Sequence, residues 1–221
     1  MAKIIWNKID KKQISKLPRA VFEGKIVVVA SPWETKRAVD ALLTEPILGI
    51  DTETRPSFKK GRQYLVSLLQ VSTREVCFLF RLNFLGLNYD IVRLLEDTTV
   101  PKVGLSLHDD ILSLHKRGKF TPGNFIDLQD HMKELGIKDL SLQKLYANIF
   151  GLKISKTQQL SNWEADILSD KQKLYAATDA WACIQLYNEY QRLIDTGDYE
   201  LMVVEEPQEE KATNNDDNAT E

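Results

Sequence analysis

Cysteine is nearly absent. The 221 residues contain two, Cys77 and Cys183, in the apolar contexts Val-Cys-Phe-Leu and Trp-Ala-Cys-Ile. That excludes a disulfide framework and a cysteine-rich metal site. Both read as small buried hydrophobes, which suits a reducing compartment: the cytoplasm, or the nucleus of a eukaryote. No apolar run reaches membrane-spanning length, so no membrane partner is expected. The first residues, Met-Ala-Lys-Ile-Ile-Trp-Asn-Lys, lack the apolar core of a secretory signal. There is no internal repeat. A basic excess is missing too: the formal net charge is −3.

The distribution of that charge changes its meaning. Residues 205–221 carry seven acidic side chains and one Lys, a net −6, which leaves the rest of the chain at +3 against the overall −3. A mildly basic body can still hold a polyanion through a local patch or through metal ions. Hydrophobic content of 43% and charged content of 28% are ordinary for a globular chain with a real core. Three segments are expected: a polar extension at 1–24, a folded domain at 25–196, and an acidic tail at 197–221, disordered from Pro207.

Local signals give most of the elements. Residues 25–30 are a β-branched strand. Ser31-Pro32-Trp33-Glu34 reads as N-cap, first-turn Pro and capping-box Glu of a helix to about Thr44. Residues 47–53, Ile-Leu-Gly-Ile-Asp-Thr-Glu, read as a central strand whose apolar part is buried on both faces. A basic loop occupies 55–61. Strands at 64–72 and 76–80 flank a three-residue connection, short enough for an antiparallel hairpin. Helices at 89–95 and 106–116 flank a strand at 99–103. From Leu128 onward the pattern is all helix: 128–135, 141–150 with Gly151 as its C-cap, and 170 to about 194. Strands first, then a mixed part, then a helical cover imply an α/β fold with a mixed sheet flanked by helices. Residues 1–22 have no clear period; a short helix or a packed arm both fit.

The chemistry gathers in carboxylates. Asp51 and Glu53 are two apart where the central strand surfaces, so they project together. Two like charges that close repel unless a cation neutralises them, and a hard divalent ion does so well. One Asp-x-Glu pair alone is not diagnostic. His108-Asp109-Asp110 falls early in the helix after the strand at 99–103, where an Asp also fits simple complementation of the helix dipole. Tyr175 and Asp179 are four apart, on one face of the last helix. A hydrogen bond between them would serve structure as well as chemistry.

Together the motifs Ile-Asp-Thr-Glu (50–53), Val-Gly-Leu-Ser-Leu-His-Asp-Asp (103–110) and Tyr-Ala-Ala-Thr-Asp (175–179) resemble, in order and spacing, those of the DEDDy 3′–5′ exonucleases. The chain is similar to the ribonuclease D family, and more closely to the exonuclease domain of the Werner-syndrome helicase, from about Lys25 to Leu193. The resemblance implies a ribonuclease H-like fold for 25–196. It implies metal-ligand positions at Asp51, Glu53, Asp110 and Asp179, with Tyr175 as the family's tyrosine. Matching Val103-Gly104 to the family's Val-Gly selects Asp110 over Asp109. It further implies two Mg²⁺ or Mn²⁺ ions, which agrees with a ligand set without His or Cys. Asp51 would bridge the ions, Glu53 and Asp179 complete one, Asp110 hold the other, and Tyr175 orient water or phosphate rather than act as a base. The implied partner is nucleic acid with a single-stranded 3′ end or overhang, released as 5′-mononucleotides.

Nucleic-acid contacts are expected from the basic run after the first motif, Arg55, Lys59, Lys60 and Arg62, with Phe58 available for stacking. Lys153 and Lys156 form a second candidate patch. A catalytically silent binding module is the competing reading; retention of every motif carboxylate argues against it. A haloacid-dehalogenase-type phosphatase would need Asp where Glu53 stands.

Overall fold

Alternation along one strand decides the architecture. The structure is a computed structural model that describes residues 2–205. Strand β3 (Leu48–Thr54) is at the heart of a six-stranded mixed sheet with β2 (Lys25–Val29), β4 (Val66–Ser72), β5 (Val76–Arg81), β6 (Lys102–Gly104) and β7 (Phe125–Asp127), in the order β2-β5-β4-β3-β6-β7. The consecutive strands β3, β4 and β5 pair antiparallel, as the short connections require. β2, β6 and β7 join in parallel, with helices following β2 and preceding β6 and β7. β4 is buried at every residue, because strands cover both edges and helices cover both faces.

On β3, Leu48 and Ile50 face a core built with α2 (Pro32–Leu42), α4 (Tyr89–Glu96) and α5 (Leu107–His115). Gly49, Asp51 and Glu53 face the other way, towards the long helix α8 (Asp170–Thr196). A Cβ on Gly49 would sit 1.9 Å from the Ala180 carbonyl oxygen. Glycine there lets the backbone of α8 lie directly on β3, next to the carboxylates. Outside α8 pack α6 (Leu128–Glu134) and α7 (Leu142–Phe150), which share a second core with it. Cys183 is a buried free thiol in that second core, and Cys77 is another in a third cluster with Phe22, Leu68 and Trp163.

The capping box of α2 is present, with Ser31 accepting from the Glu34 amide and Glu34 accepting from the Ser31 amide. Gly151 ends α7 with φ 65°, the left-handed conformation expected of a C-cap glycine. Three expectations need correction, and the open reading of the lead-in is resolved with a short helix present. The strand predicted at 99–103 begins only at Lys102, because Asp97 accepts from the Thr99 and Val100 amides and makes 97–100 a turn. The chain after Leu128 is not all helix, since Tyr199–Met202 forms strand β8. The polar lead-in contains strand β1 (Lys3–Trp6) and helix α1 (Lys11–Lys16), and β1 pairs in parallel with β8. The acidic segment expected from 197 thus starts as an ordered strand: Ile5 is buried opposite Leu201, which packs against that second core. β7 and the one-turn helix α3 (Leu82–Leu85) were unforeseen, being three and four residues long and too short for a period. The disorder expected from Pro207 lies outside the described residues.

Candidate active site

β3 delivers Asp51 and Glu53 to the edge of a cleft of about 500 Å³, and α8 delivers Tyr175 and Asp179 to the same place. The register of β3 slips by one residue between Glu53 and Thr54, a bulge of the kind that re-aims side chains at the end of a ladder. Among the described residues, Asp51, Glu53 and Asp179 each offer a carboxylate oxygen within 4.8 Å of the others. Asp110, on α5, accepts a hydrogen bond from the Thr52 hydroxyl on the opposite face of β3; it is outside that cluster and does not line the cleft, though its charge acts on Asp51. Asp109 and His108 are exposed.

The electrostatics are those of a site short of positive charge. Burial, then the charges of Asp110 and Asp179, push the Asp51 carboxyl well above its ordinary value. Burial, then Asp51 and Asp179, push Glu53 up to about 10. Burial raises Asp179 to about 7 against the opposing effects of the Tyr175 hydroxyl and Lys156, and raises Asp110 to about 6 against the Thr52 hydrogen bond. The Tyr175 phenol goes up as well, through burial first and then the neighbouring Asp179 and Glu53 charges, so it remains a proton donor at any physiological pH. Asp179 Oδ1 is buried with no hydrogen-bond partner, an arrangement that costs free energy unless a cation takes it. Oxygen-only donors, crowded and desolvated, fit hard divalent cations; among the described residues Asp51, Glu53 and Asp179 are the group able to hold one.

Supporting residues escaped the sequence reading. Ser106, at the start of α5, has φ 60° and ψ 37°, an uncommon conformation for a residue with a Cβ. It is held there by Asp127, whose carboxylate accepts from the Ser106 and Leu107 amides at 3.1 and 2.8 Å and from the Gln129 amide at 2.9 Å. Gln129 donates to the Ser106 hydroxyl at 2.6 Å, and both side chains line the cleft. The signal for Asp127 was available: an Asp directly before a helical run is an N-cap. Gln70, opposite Asp51 across the β3–β4 pair, is fully buried with both amide atoms unpartnered. Behind Tyr175 the buried Trp163 ring lies 6.0 Å away, centroid to centroid, and limits where the phenol can point.

The basic run after the first motif is placed differently. None of Arg55, Phe58, Lys59, Lys60 and Arg62 lines the cleft. Arg55 pairs with Glu164 at 3.2 Å, and Arg55 and Arg62 both lie over the Tyr64 ring. Phe58 is 85% exposed. Lys156 is the one cation that lines the cleft among the described residues.

A family model described as 3′–5′ exonuclease matches residues 26–195. The chain belongs to that family. Two relatives extend the finding. The bifunctional 3′–5′ exonuclease/ATP-dependent helicase WRN of Mus musculus is 30% identical over 156 residues, covering 68% of this chain and 11% of that protein. A 3′–5′ exonuclease of Arabidopsis thaliana is 32% identical over 158 residues, covering 67% of this chain and 54% of that one. The chain therefore spans only part of these relatives' lengths. The fold is likewise that of solved exonuclease domains. The Nibbler EXO domain of Aedes aegypti superposes with a TM-score of 0.73 at 19% identity, covering 82% of this chain and 95% of that one. The mixed sheet and flanking helices are ribonuclease H-like, as the motif resemblance implied.

Proposed function

We propose that this protein is a divalent-metal-dependent 3′–5′ exonuclease that removes 5′-mononucleotides from single-stranded 3′ ends. The observation that carries this is the convergence of Asp51, Glu53 and Asp179, from a strand and a helix far apart in sequence, beside a tyrosine on the wall of a polar cleft. Two Mg²⁺ or Mn²⁺ ions held by these carboxylates and Asp110 would supply charge stabilisation to the attacking and leaving oxygens of an in-line displacement.

The chain's own groups have separable tasks. Asp51, whose carboxyl is raised by burial and by the neighbouring Asp110 and Asp179 charges, would hold the cations together with Glu53, Asp179 and Asp110. Tyr175 is a poor base, because its phenol holds its proton more tightly than usual. It would orient the attacking water or the scissile phosphate by donating a hydrogen bond, with Trp163 fixing the ring. Lys156 and Gln159 line the cleft, which favours them as contacts for the terminal nucleotide; Gln129 and Gln143 line it too, while donating to the Ser106 hydroxyl and the Ile154 carbonyl. The exposed loop 55–61 leaves the sheet directly after β3, which favours a role for its cations at the mouth of the site.

Digestion of 5′-labelled DNA and RNA strands in Mg²⁺, Mn²⁺ or EDTA tests the reading. A ladder that shortens from the 3′ end with metal, and vanishes with EDTA and in Asp51→Asn, is expected. If neither strand shortens with either metal, the enzyme reading is lost and a nucleic-acid-binding module takes its place.

A further inference from the structure

The cleft does not end at Tyr175. Ile154, Ser155 and Tyr175 also line a second pocket of about 290 Å³. One wall of it is the start of α8, with Lys171 and Leu174; the other is Arg19–Val21 of the lead-in, outside the 26–195 stretch that matches the family. That wall is fixed in place. The Lys153 amide donates to the Pro18 carbonyl and the Ala20 amide to the Lys153 carbonyl, both at 2.9 Å, and the Phe22 amide donates to the Thr178 hydroxyl at 3.1 Å.

The two pockets have opposite electrostatics. Three carboxylates line the first, whereas the second has no acidic lining residue and carries two cations. Neither Arg19 nor Lys171 pairs with an acidic side chain among the described residues. Beside these charges, Val21 and Leu174 are 40% and 36% exposed, and offer an apolar surface to a ring. A phosphate next to a flat, weakly polar ring is what a nucleotide presents. A strand whose terminal nucleotide fills the first pocket must also continue to solvent, and the exposed cations of the second pocket mark an outlet.

Resting on the exonuclease reading, we infer that this pocket is a subsite for the nucleotide on the 5′ side of the scissile bond. Arg19 and Lys171 grip the phosphodiester next to the scissile one, and the base or sugar lies on Val21 and Leu174. The lead-in is thereby part of the substrate-binding surface.

The test uses the full chain with Asp51→Asn, which blocks turnover, and a 5′-fluorescein single strand. A second strand carries a neutral methylphosphonate at the linkage just 5′ of the scissile one. Arg19→Ala and Lys171→Ala each weaken binding of the natural strand several-fold, and each lowers the salt dependence by about 0.7 in log–log slope. The methylphosphonate weakens binding to the parent but adds no loss in the double variant, because both changes remove one contact. Arg19→Lys restores most of the affinity, which a purely structural role for Arg19 would not allow. Unchanged affinity in both variants, or losses that simply add to that of the methylphosphonate, overturn the subsite. Those results alongside a wild-type digestion ladder leave the exonuclease reading intact. A parent that binds no strand and a wild type that makes no ladder overturn both.

Discussion

At the scale of single residues, four carboxyls dominate the behaviour expected of the metal-free protein. Asp51 is raised well above the usual range, Asp110 to about 6, Asp179 to about 7 and Glu53 to about 10, with burial the largest cause for each. The folded chain therefore keeps protons that the unfolded chain has released above about pH 4 to 5. Where the folded state binds more protons than the unfolded one, stability falls as pH rises. The contribution is intact below the ordinary carboxylate range and is lost progressively as pH climbs through the folded values. In EDTA, the melting temperature should thus decline from about pH 5 to 10. Asp51→Asn removes the shared centre of the repulsion, so its decline should be shallower and it should melt above wild type at pH 8. Mg²⁺ should raise wild type at pH 8 and leave the variant nearly unmoved. A wild-type melting curve in EDTA that ignores pH would show that the carboxyls are not crowded as described.

At the scale of elements, the site exists because α8 and β3 approach without a side chain between them. Gly49→Ala would drive a methyl to 1.9 Å from the Ala180 carbonyl. Backbone cannot yield as a flexible side-chain tip can, so the helix must move and carry Asp179 with it. The expected cost is about 3 kcal/mol, at the upper end for overpacking, together with a marked loss of metal affinity by titration calorimetry. Gly151→Ala is the informative contrast. Its φ is positive, yet nothing lies within 4 Å of the added methyl. It should cost only about 1 to 2 kcal/mol and leave metal binding alone. Equal losses of metal affinity in both variants would mean that Gly49 matters only through general stability. The same logic explains the start of α5: Ser106 pays a backbone penalty that the three hydrogen bonds to Asp127 offset, so the strain stays beside the cleft.

At the scale of the whole molecule, the two ends of the described chain meet. β1 and β8 form a parallel pair on the outside of α7, and Asn148 clamps it from that helix. Its side chain accepts from the Trp6 amide at 2.9 Å and donates to the Trp6 carbonyl at 2.6 Å. Asn148→Ala frees both groups at once and should destabilise by about 1 to 3 kcal/mol, a drop of several degrees in melting temperature. The clamp holds the lead-in that builds the second pocket, so strand binding should weaken in the variant while divalent-ion binding at the carboxylates does not. Loss of both together would indicate that the lead-in supports the fold as a unit.

Local chemistry determined much of this protein. The β-branched run of β2, the Ser31–Glu34 capping box and the period of α8 express contacts between near neighbours, so they can be read along the chain, whereas the three acidic motifs were joined only by their resemblance to the DEDDy exonucleases. Asp51 with Glu53, and Tyr175 with Asp179, follow from the periods of strand and helix alone. What the tertiary structure decided depends on groups far apart in sequence. It joined β3 to α8 through Gly49, closed β1 onto β8, lodged Asp127 under Ser106, and turned Arg55 towards Glu164 rather than into the cleft. It also set Arg19 opposite Lys171. Such pairings leave no period, because a strand of three or four residues has too few side chains to show one, and the loop-closure entropy they overcome is offset only by the assembled core.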